Sequence, residues 1–375
     1  MEILLDLQIH SILKLHKKIN EFIFVFMSIT QIFSDKLEMS IMLEELKGQN
    51  NTVLCEMPPR CKECFDRFGE IPMVTDDAAM IVGGKVRVLP AEASELEKEL
   101  LHVSAVMTED GKLYCVGRNE YEARTCLSVL EKNADIYLNA LLLGEARILD
   151  DEHCHSEHEG YLGSYSKSEK NYQDGCIVKS NDKISMSERE AALREAIVEY
   201  GLKLQDTGLV TGTWGNLSVR FDASHMLCTP SGIDYSHMTM DQIVMVDLDT
   251  LDWTGNFKPT SEKILHAMLY KKFLEAGAII HTHSSCSTAY AAAGATLDGE
   301  TSEDGAFRIL SAKYGLAGTK ELAENVCEAS AGSTFGCFMR SHGLIVFGAD
   351  LDEALHRAKL VEDTAEQKLS ELVKR

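Results

Sequence analysis

Residues 278–283 read AIIHTH, an apolar run that ends in two histidines separated by one residue. A short apolar run following Gly277 predicts a strand. Side chains two apart on a strand point to the same face, so His281 and His283 present two imidazoles to one place. That spacing suits two ligands of a single divalent ion, most often zinc. H-x-H alone is equally met as a pair of ordinary core or surface histidines. A third histidine, His342, lies in CFMRSHGLIVFG (337–348), before a glycine that permits a tight turn. Three neutral imidazoles leave a fourth position open, the pattern of a catalytic zinc rather than a closed structural one.

Outward from this strand lie three further polar segments. Lys258-Pro-Thr-Ser-Glu262 stands at the start of a predicted helix, where free backbone N–H groups and the positive dipole end favour an anion. Thr260 and Ser261 offer hydroxyls there, and Glu262 suits a base close to a metal; the same letters also describe a plain helix cap. Gly215-Asn-Leu-Ser218 and Thr229-Pro-Ser-Gly232 carry groups that cradle phosphate oxygens, or form simple turns. A helix capped by Ser185 or Ser187, with Ile197, Tyr200 and Leu204 on one face, leads to Gly208. Short strands follow, then a helix stopped by Gly277, the AIIHTH strand, a small-residue helix, another helix near 319–330, a strand pair and a final helix. Several consecutive strands among helices predict an α/β sandwich rather than a strict βαβ repeat.

In this order GTWGNLSVR, TPSGIDY, KPTSE, IIHTH and SHGLIVFG resemble the class II aldolase/adducin family over about residues 188–372. The resemblance implies a three-layer sandwich with a central, mainly antiparallel sheet flanked by helices. It implies that His281, His283 and His342 hold one zinc ion and that Glu262 is the catalytic carboxylate. It further implies that Asn216, Ser231, Gly232, Thr260 and Ser261 hold a substrate phosphate. The implied chemistry is retro-aldol cleavage of a phosphorylated, fuculose-1-phosphate-like ketose to dihydroxyacetone phosphate and an aldehyde, through a metal-stabilised enediolate. The family's cross-subunit tyrosine is not matched: that stretch reads TSEDGAFRIL, with Phe307, and Tyr314 matches another position. Ribulose-phosphate 4-epimerases share the zinc site but usually carry aspartate at the position of Glu262. Methylthioribulose-1-phosphate dehydratases keep a glutamate, and adducin-like members are metal-free scaffolds.

The first half parallels the second. AVMTEDGKLYCVG…EARTCLSVLEKNAD (105–135) follows CFMRSHGLIVFG…EALHRAKLVEDTAE (337–366), and SELEKEL (94–100) follows KELAENV (320–326). Met107 then matches Met339, Gly111 matches Gly343, and Glu122-Ala123 match Glu353-Ala354. Carried back, the register puts TVLCEMPP over AIIHTHSS, so Cys55 falls on His281, Met57 on His283 and Asp110 on His342. Thioether is a poor zinc ligand, and Lys36–Glu38 supplies no counterpart of PTSE. The expected organisation is an unassigned leader at 1–35, a degenerate partial copy at 36–152, a linker at 153–186 and a complete catalytic domain at 187–375. Cys61 and Cys64 form a C-x-x-C pair without a second pair, which is read as structural. His153, Cys154, His155 and His158 are read as solvated linker residues.

The chain has 375 residues, a formal charge of −22 and 11 cysteines. That charge argues against a nucleic-acid footprint, and irregular cysteine spacing argues for a reduced, cytoplasmic setting rather than a disulfide framework. The apolar run at 22–33 is too short and too interrupted for a membrane span. The family resemblance implies a homo-oligomer, with the first copy expected to contribute to the assembly.

Overall fold

A computed structural model describes residues 52–91, 93–165, 186–302 and 305–374. The leader at 1–35, the Lys36–Glu38 segment and residues 166–185 of the expected linker lie outside the described residues. In chain order, β1 (Thr52–Cys55) precedes α1 (Pro59–Phe68), which has proline in its first turn and ends on Gly69 at φ 72°. β2 (Glu70–Ile71) leads to α2 (Asp76–Val82), capped by Thr75 and carrying two aspartates in its first turn, where the dipole favours them. β3 (Val86–Leu89), α3 (Ala93–Leu100), β4 (Ala105–Thr108), β5 (Leu113–Gly117) and α4 (Glu120–Leu142) follow.

The expected linker is helical where it begins. α5 (Asp151–Gly160) is capped by Asp150, which accepts from His153 N at 2.8 Å, and a π-turn extends it over Tyr161–Tyr165. Cys154 and His158, one turn apart, are its buried face, and His158 Nδ1 bonds Met80 O of α2 at 2.7 Å. A stripe made of Cys and His rather than Leu or Ile hides this helix from hydropathy.

The remaining elements are α6 (Glu188–Asp206), β6 (Asn216–Arg220), β7 (His225–Cys228), β8 (Val244–Asp247), β9 (Trp253–Thr254), α7 (Lys263–Lys272) and β10 (Ala278–Thr282). After them come α8 (Ser285–Ala293), β11 (Leu297–Thr301), β12 (Gly305–Ser311), α9 (Lys320–Ala331), β13 (Gly336–Met339), β14 (Gly343–Gly348) and α10 (Leu351–Val373). Ser187 does cap α6, accepting from Glu190 N at 3.1 Å, and Ile197, Tyr200 and Leu204 are buried. Gly277 does not stop α7, which ends at Lys272. A Cβ on Gly277 would stand 2.0 Å from Ala349 O, so the glycine serves close backbone approach beside β10 instead.

Two compact units form: residues 52–56 with 88–125, and residues 57–87 with 126–374. The boundary expected at 153–186 is therefore not where the chain divides. In the smaller unit β5 pairs antiparallel with β1 and β4, and Val88–Leu89 runs parallel to β4. Leu96, Leu100, Val103, Val106, Tyr114 and Val116 form its core. The larger unit holds a nine-stranded sheet, β11-β12-β13-β14-β10-β6-β7-β8-β9. Every pairing in it is antiparallel except β12 with β13, as the mainly antiparallel expectation requires. α10 packs on β14 and β10 and against α8 and α6, while α9 packs on β13 and against α7. Cys61 and Cys64 are buried on α1, and burial pushes the Cys64 thiol up to about 12, which suits packing rather than redox exchange.

The order β3-β4-β5-β1 has the same strand senses as β12-β13-β14-β10. Gly117 opposes Thr52 as Gly348 opposes Ala278, so Cys55 takes the ladder position of His281. The hairpins give one correction. Met107 pairs Leu113 as Phe338 pairs Leu344, which places Thr108, not Met107, at Met339 and Gly111, not Asp110, at His342.

Among the described residues no helix is long and apolar enough to cross a membrane.

Candidate metal centre and active site

β10 ends at Thr282 in the middle of the sheet, and its register against β14 and β6 delivers His281 and the following His283 to one face. His342 reaches the same place from the β13–β14 turn, where Ser341 takes φ 60° to bend the chain. The three rings are buried, with centroids 4.4, 5.0 and 4.9 Å apart. One ligand nitrogen from each lies within 4.8 Å of the others, so the three histidines are brought together as the spacing suggests. Each Nδ1 faces an acceptor: Leu344 O at 2.9 Å for His281, Asp77 Oδ2 at 2.7 Å for His283 and Asp76 Oδ2 at 3.1 Å for His342. An imidazole whose Nδ1–H is so engaged turns Nε2 outward as a lone-pair donor.

Glu262 stands at the N-terminal end of α7 without capping it and points its carboxylate at these Nε2 atoms, 3.3 Å from His281 and 3.4 Å from His342. Asn216 Nδ2 donates to Glu262 Oε2 at 2.9 Å, whereas the buried Glu262 Oε1 has no hydrogen-bond partner. Burial pushes the Glu262 carboxyl up, but His281, His342 and the Asn216 amide outweigh it and hold it at about 2. Burial lowers His281 to about 3 against the pull of Glu262. His342 goes the other way, because Glu262 and Asp76 overcome its burial and carry it up to about 9. Glu262 and Asp76 thus favour the charged form of the His342 ring in the metal-free site. Three convergent imidazoles beside a carboxylate oxygen that has no hydrogen-bond partner fit a divalent cation of the zinc type.

These groups open onto a cleft of about 220 Å³. Asn216, Ser231, Gly232, Thr260 and Ser261 all line it together with Glu262 and the three histidines. The strip is built by Ser231 N bonding Lys258 O at 2.9 Å and Thr260 N bonding Thr229 O at 3.0 Å. Gly232 turns at φ 73°. Asn216 is more committed than expected, since its Oδ1 accepts from His266 Nε2 at 2.6 Å while its amide holds Glu262. Behind it a buried line continues from His266 Nδ1 to Ser218 Oγ at 2.7 Å and on to Tyr270 OH at 2.9 Å. His266 lies one helical turn after Glu262, the signal that could have marked it; burial lowers it to about 4 against the pull of Glu262.

Sequence reasoning missed Asp76 and Asp77, which line the cleft with Glu157. TDDAAM reads locally as an ordinary helix start. Tyr314 also joins the site, donating to Asp76 Oδ1 at 3.0 Å, with His153 Nε2 2.9 Å from the same hydroxyl. His153 is thereby placed beside the cleft, not in a solvated linker. Phe307 is buried against Phe335 at a centroid distance of 5.6 Å and offers no proton donor.

The family model described as Class II Aldolase and Adducin N-terminal domain matches residues 195–369. The L-ribulose-5-phosphate 4-epimerase UlaF of Salmonella paratyphi B is 32% identical over 187 residues, covering 46% of this chain and 82% of the relative. The same enzyme of Salmonella typhi matches at the same identity and coverage. Among solved structures, an L-fuculose 1-phosphate aldolase is 30% identical at a TM-score of 0.43, over 48% of this chain and 85% of that one.

Proposed function

This chain belongs to the class II aldolase/adducin family and is an enzyme of that superfamily; on that premise we propose that it is a zinc-dependent lyase cleaving a phosphorylated ketose to dihydroxyacetone phosphate and an aldehyde. The observation that carries the reading is Glu262, a buried carboxylate between His281 and His342 with one oxygen held by Asn216 and the other, which has no hydrogen-bond partner, facing His342 Nε2 at 3.4 Å. His281, His283 and His342 would hold the ion, which when bound supplies Lewis-acid charge for the substrate's oxygens. Ser231, Gly232, Thr260 and Ser261, together with the N-terminal end of α7, receive the phosphate. Asn216 lends its second N–H, and Glu262 Oε1 moves the proton.

A second reading, epimerisation at C4 of a pentulose phosphate, is favoured by the 4-epimerase relatives. A glutamate where such epimerases usually carry aspartate favours cleavage. A metal-supplemented screen of ketose 1-phosphates and pentulose 5-phosphates separates the two by product: dihydroxyacetone phosphate or the C4 epimer. E262Q is expected to keep the metal and lose turnover. Cleavage that survives E262Q and H283A would refute the reading.

The proposal extends to the first half. Its strand order and ladder positions support a truncated copy of the same fold whose metal positions hold Cys55, Met57 and Gly111. A homo-oligomer in the cytoplasm completes the reading, by the family resemblance and the free-thiol composition.

A further inference from the structure

We propose that Asp77 and Asp76 are positioning residues for the metal ligands His283 and His342, so that the N-terminal part of the chain completes in cis the metal centre of the family domain. The inference rests on the metal-site reading above and adds two residues that lie outside the matched segment 195–369.

A histidine that ligates through Nε2 must keep its Nδ1–H, and the group accepting that hydrogen sets the ring's tautomer and tilt. His281 receives this from within its own domain, through Leu344 O. His283 and His342 receive it from carboxylates 206 and 266 residues upstream, on successive residues of the first turn of α2. A carboxylate partner does more than a carbonyl, because its charge also raises the basicity of the ring it faces.

The two aspartates are held as positioning groups must be. Asp76 N donates to Ser341 O at 2.9 Å, tying the start of α2 to the residue beside His342. Asp76 Oδ1 accepts from Tyr314 OH, so both its oxygens are committed. Ahead of the helix, Asn133 Oδ1 accepts from Val74 N at 3.0 Å and its Nδ2 donates to Pro72 O at 2.8 Å. Leu149 N reaches Met73 O at 2.9 Å. Asp77 has Lys132 Nζ 3.9 Å away as a second cationic neighbour. Both side chains are buried, and a buried carboxylate is costly unless paired, so neither is an incidental surface charge.

The test is zinc affinity, read by chelator competition on the full chain, together with the visible spectrum of the cobalt(II)-loaded protein. D77A and D76A are each expected to weaken zinc binding by about 10–100-fold and to change the cobalt band shape and intensity, while the chelated proteins keep the wild-type circular dichroism. D77N retains an oxygen that accepts the Nδ1–H without its charge, and is expected to fall between wild type and D77A. A merely structural role would alter the melting temperature of the chelated protein and leave the affinity and the cobalt spectrum of folded protein unmoved. If D77A does not fold, D77N decides: unchanged affinity and spectrum overturn the inference. A wild-type protein that binds no stoichiometric metal sinks the metal-site reading itself. Stoichiometric metal bound equally well by D76A and D77A sinks only this inference.

Discussion

Asn216 clamps Glu262: its amide nitrogen lies 2.9 Å from Glu262 Oε2, and its own oxygen is pinned by His266 at 2.6 Å. The asparagine cannot turn without leaving one of these buried atoms unpaired. N216D would set carboxylate against carboxylate, and two such groups at hydrogen-bond distance cannot both ionise. Turnover is expected to fall by about 100-fold, with the acid limb of the rate profile moved to higher pH and zinc still bound. A pH–rate profile identical to wild type would show that Asn216 does not set the state of Glu262. H266L, which strips the next member of the line, is expected to cost about 1–3 kcal/mol in urea denaturation, because Asn216 Oδ1 and Ser218 Oγ lose a buried partner.

His342 makes zinc binding compete with a proton. In the metal-free site its folded value lies near 9, above the unfolded value of about 6.5. Zinc needs the neutral ring, so affinity should climb by about tenfold per pH unit from 7 to 9 and level off above. Calorimetry in buffers of different ionisation enthalpy should record about one proton released per ion at pH 7.5 from this group. The sign for folding follows from the same shift. A raised histidine contributes stability that is complete below about 6.5 and lost as pH rises through about 9. His281 and His266, lowered to about 3 and 4, are neutral throughout that window and do not oppose the loss. The melting temperature of chelated protein should therefore drop between pH 6.5 and 9; a flat profile would place the proton elsewhere.

Gly343 is where the hairpin of His342 meets the strand of His281. A Cβ there would stand 2.3 Å from Thr282 O and 3.2 Å from His281 Cε1. Backbone cannot yield as a flexible side chain can, so G343A should push β14 away from β10 and its His281 ring. We expect a loss of about 1–3 kcal/mol and weakened zinc binding. Gly305 provides the contrast, with φ 72° and nothing within 4 Å of its Cβ position. G305A should cost only backbone strain of about 1 kcal/mol and spare zinc. Equal zinc affinity in both variants would separate Gly343 from the metal centre.

The parts of this site that sequence reveals are those written in short-range periodicity. His281 and His283 are legible because strands alternate faces, and His342 because a glycine marks the hairpin next to it. Ser231, Gly232, Thr260 and Ser261 are legible because hydroxyls and glycine cluster at turns, and all four line the cleft. What was lost depends on distance along the chain. No local pattern links Asp77 to a ring 206 residues away, and a helix start accounts for both aspartates without any site. α5 was hidden because its buried stripe is Cys154 and His158. Sequence likeness sets the hairpins one residue out of register because Met107 and Gly111 look like Met339 and Gly343, whereas pairing follows the ladder through Leu113 and Leu344.

The parallel between the halves can itself be put to the test at two glycines. Gly117 and Gly348 each end the second strand of a hairpin and pass directly beneath the helix that follows. A Cβ on Gly117 would lie 2.4 Å from Ala123 N; on Gly348 it would lie 2.6 Å from Ala354 N. In both places the glutamate before that alanine turns back to the chain after the glycine. Glu122 Oε2 accepts from Arg118 N at 2.9 Å, and Glu353 Oε2 from Ala349 N at 2.6 Å. These are the same close approach and the same cap made twice, the signature of one packing solution used at two sites. G117A and G348A should therefore each destabilise by about 1–3 kcal/mol, because a helix backbone has to move in both. Denaturant unfolding of the single variants measures this. A neutral G117A beside a damaging G348A would mean that the first hairpin and its helix are not packed as the second pair is, and the two-copy reading of the chain would fall with it.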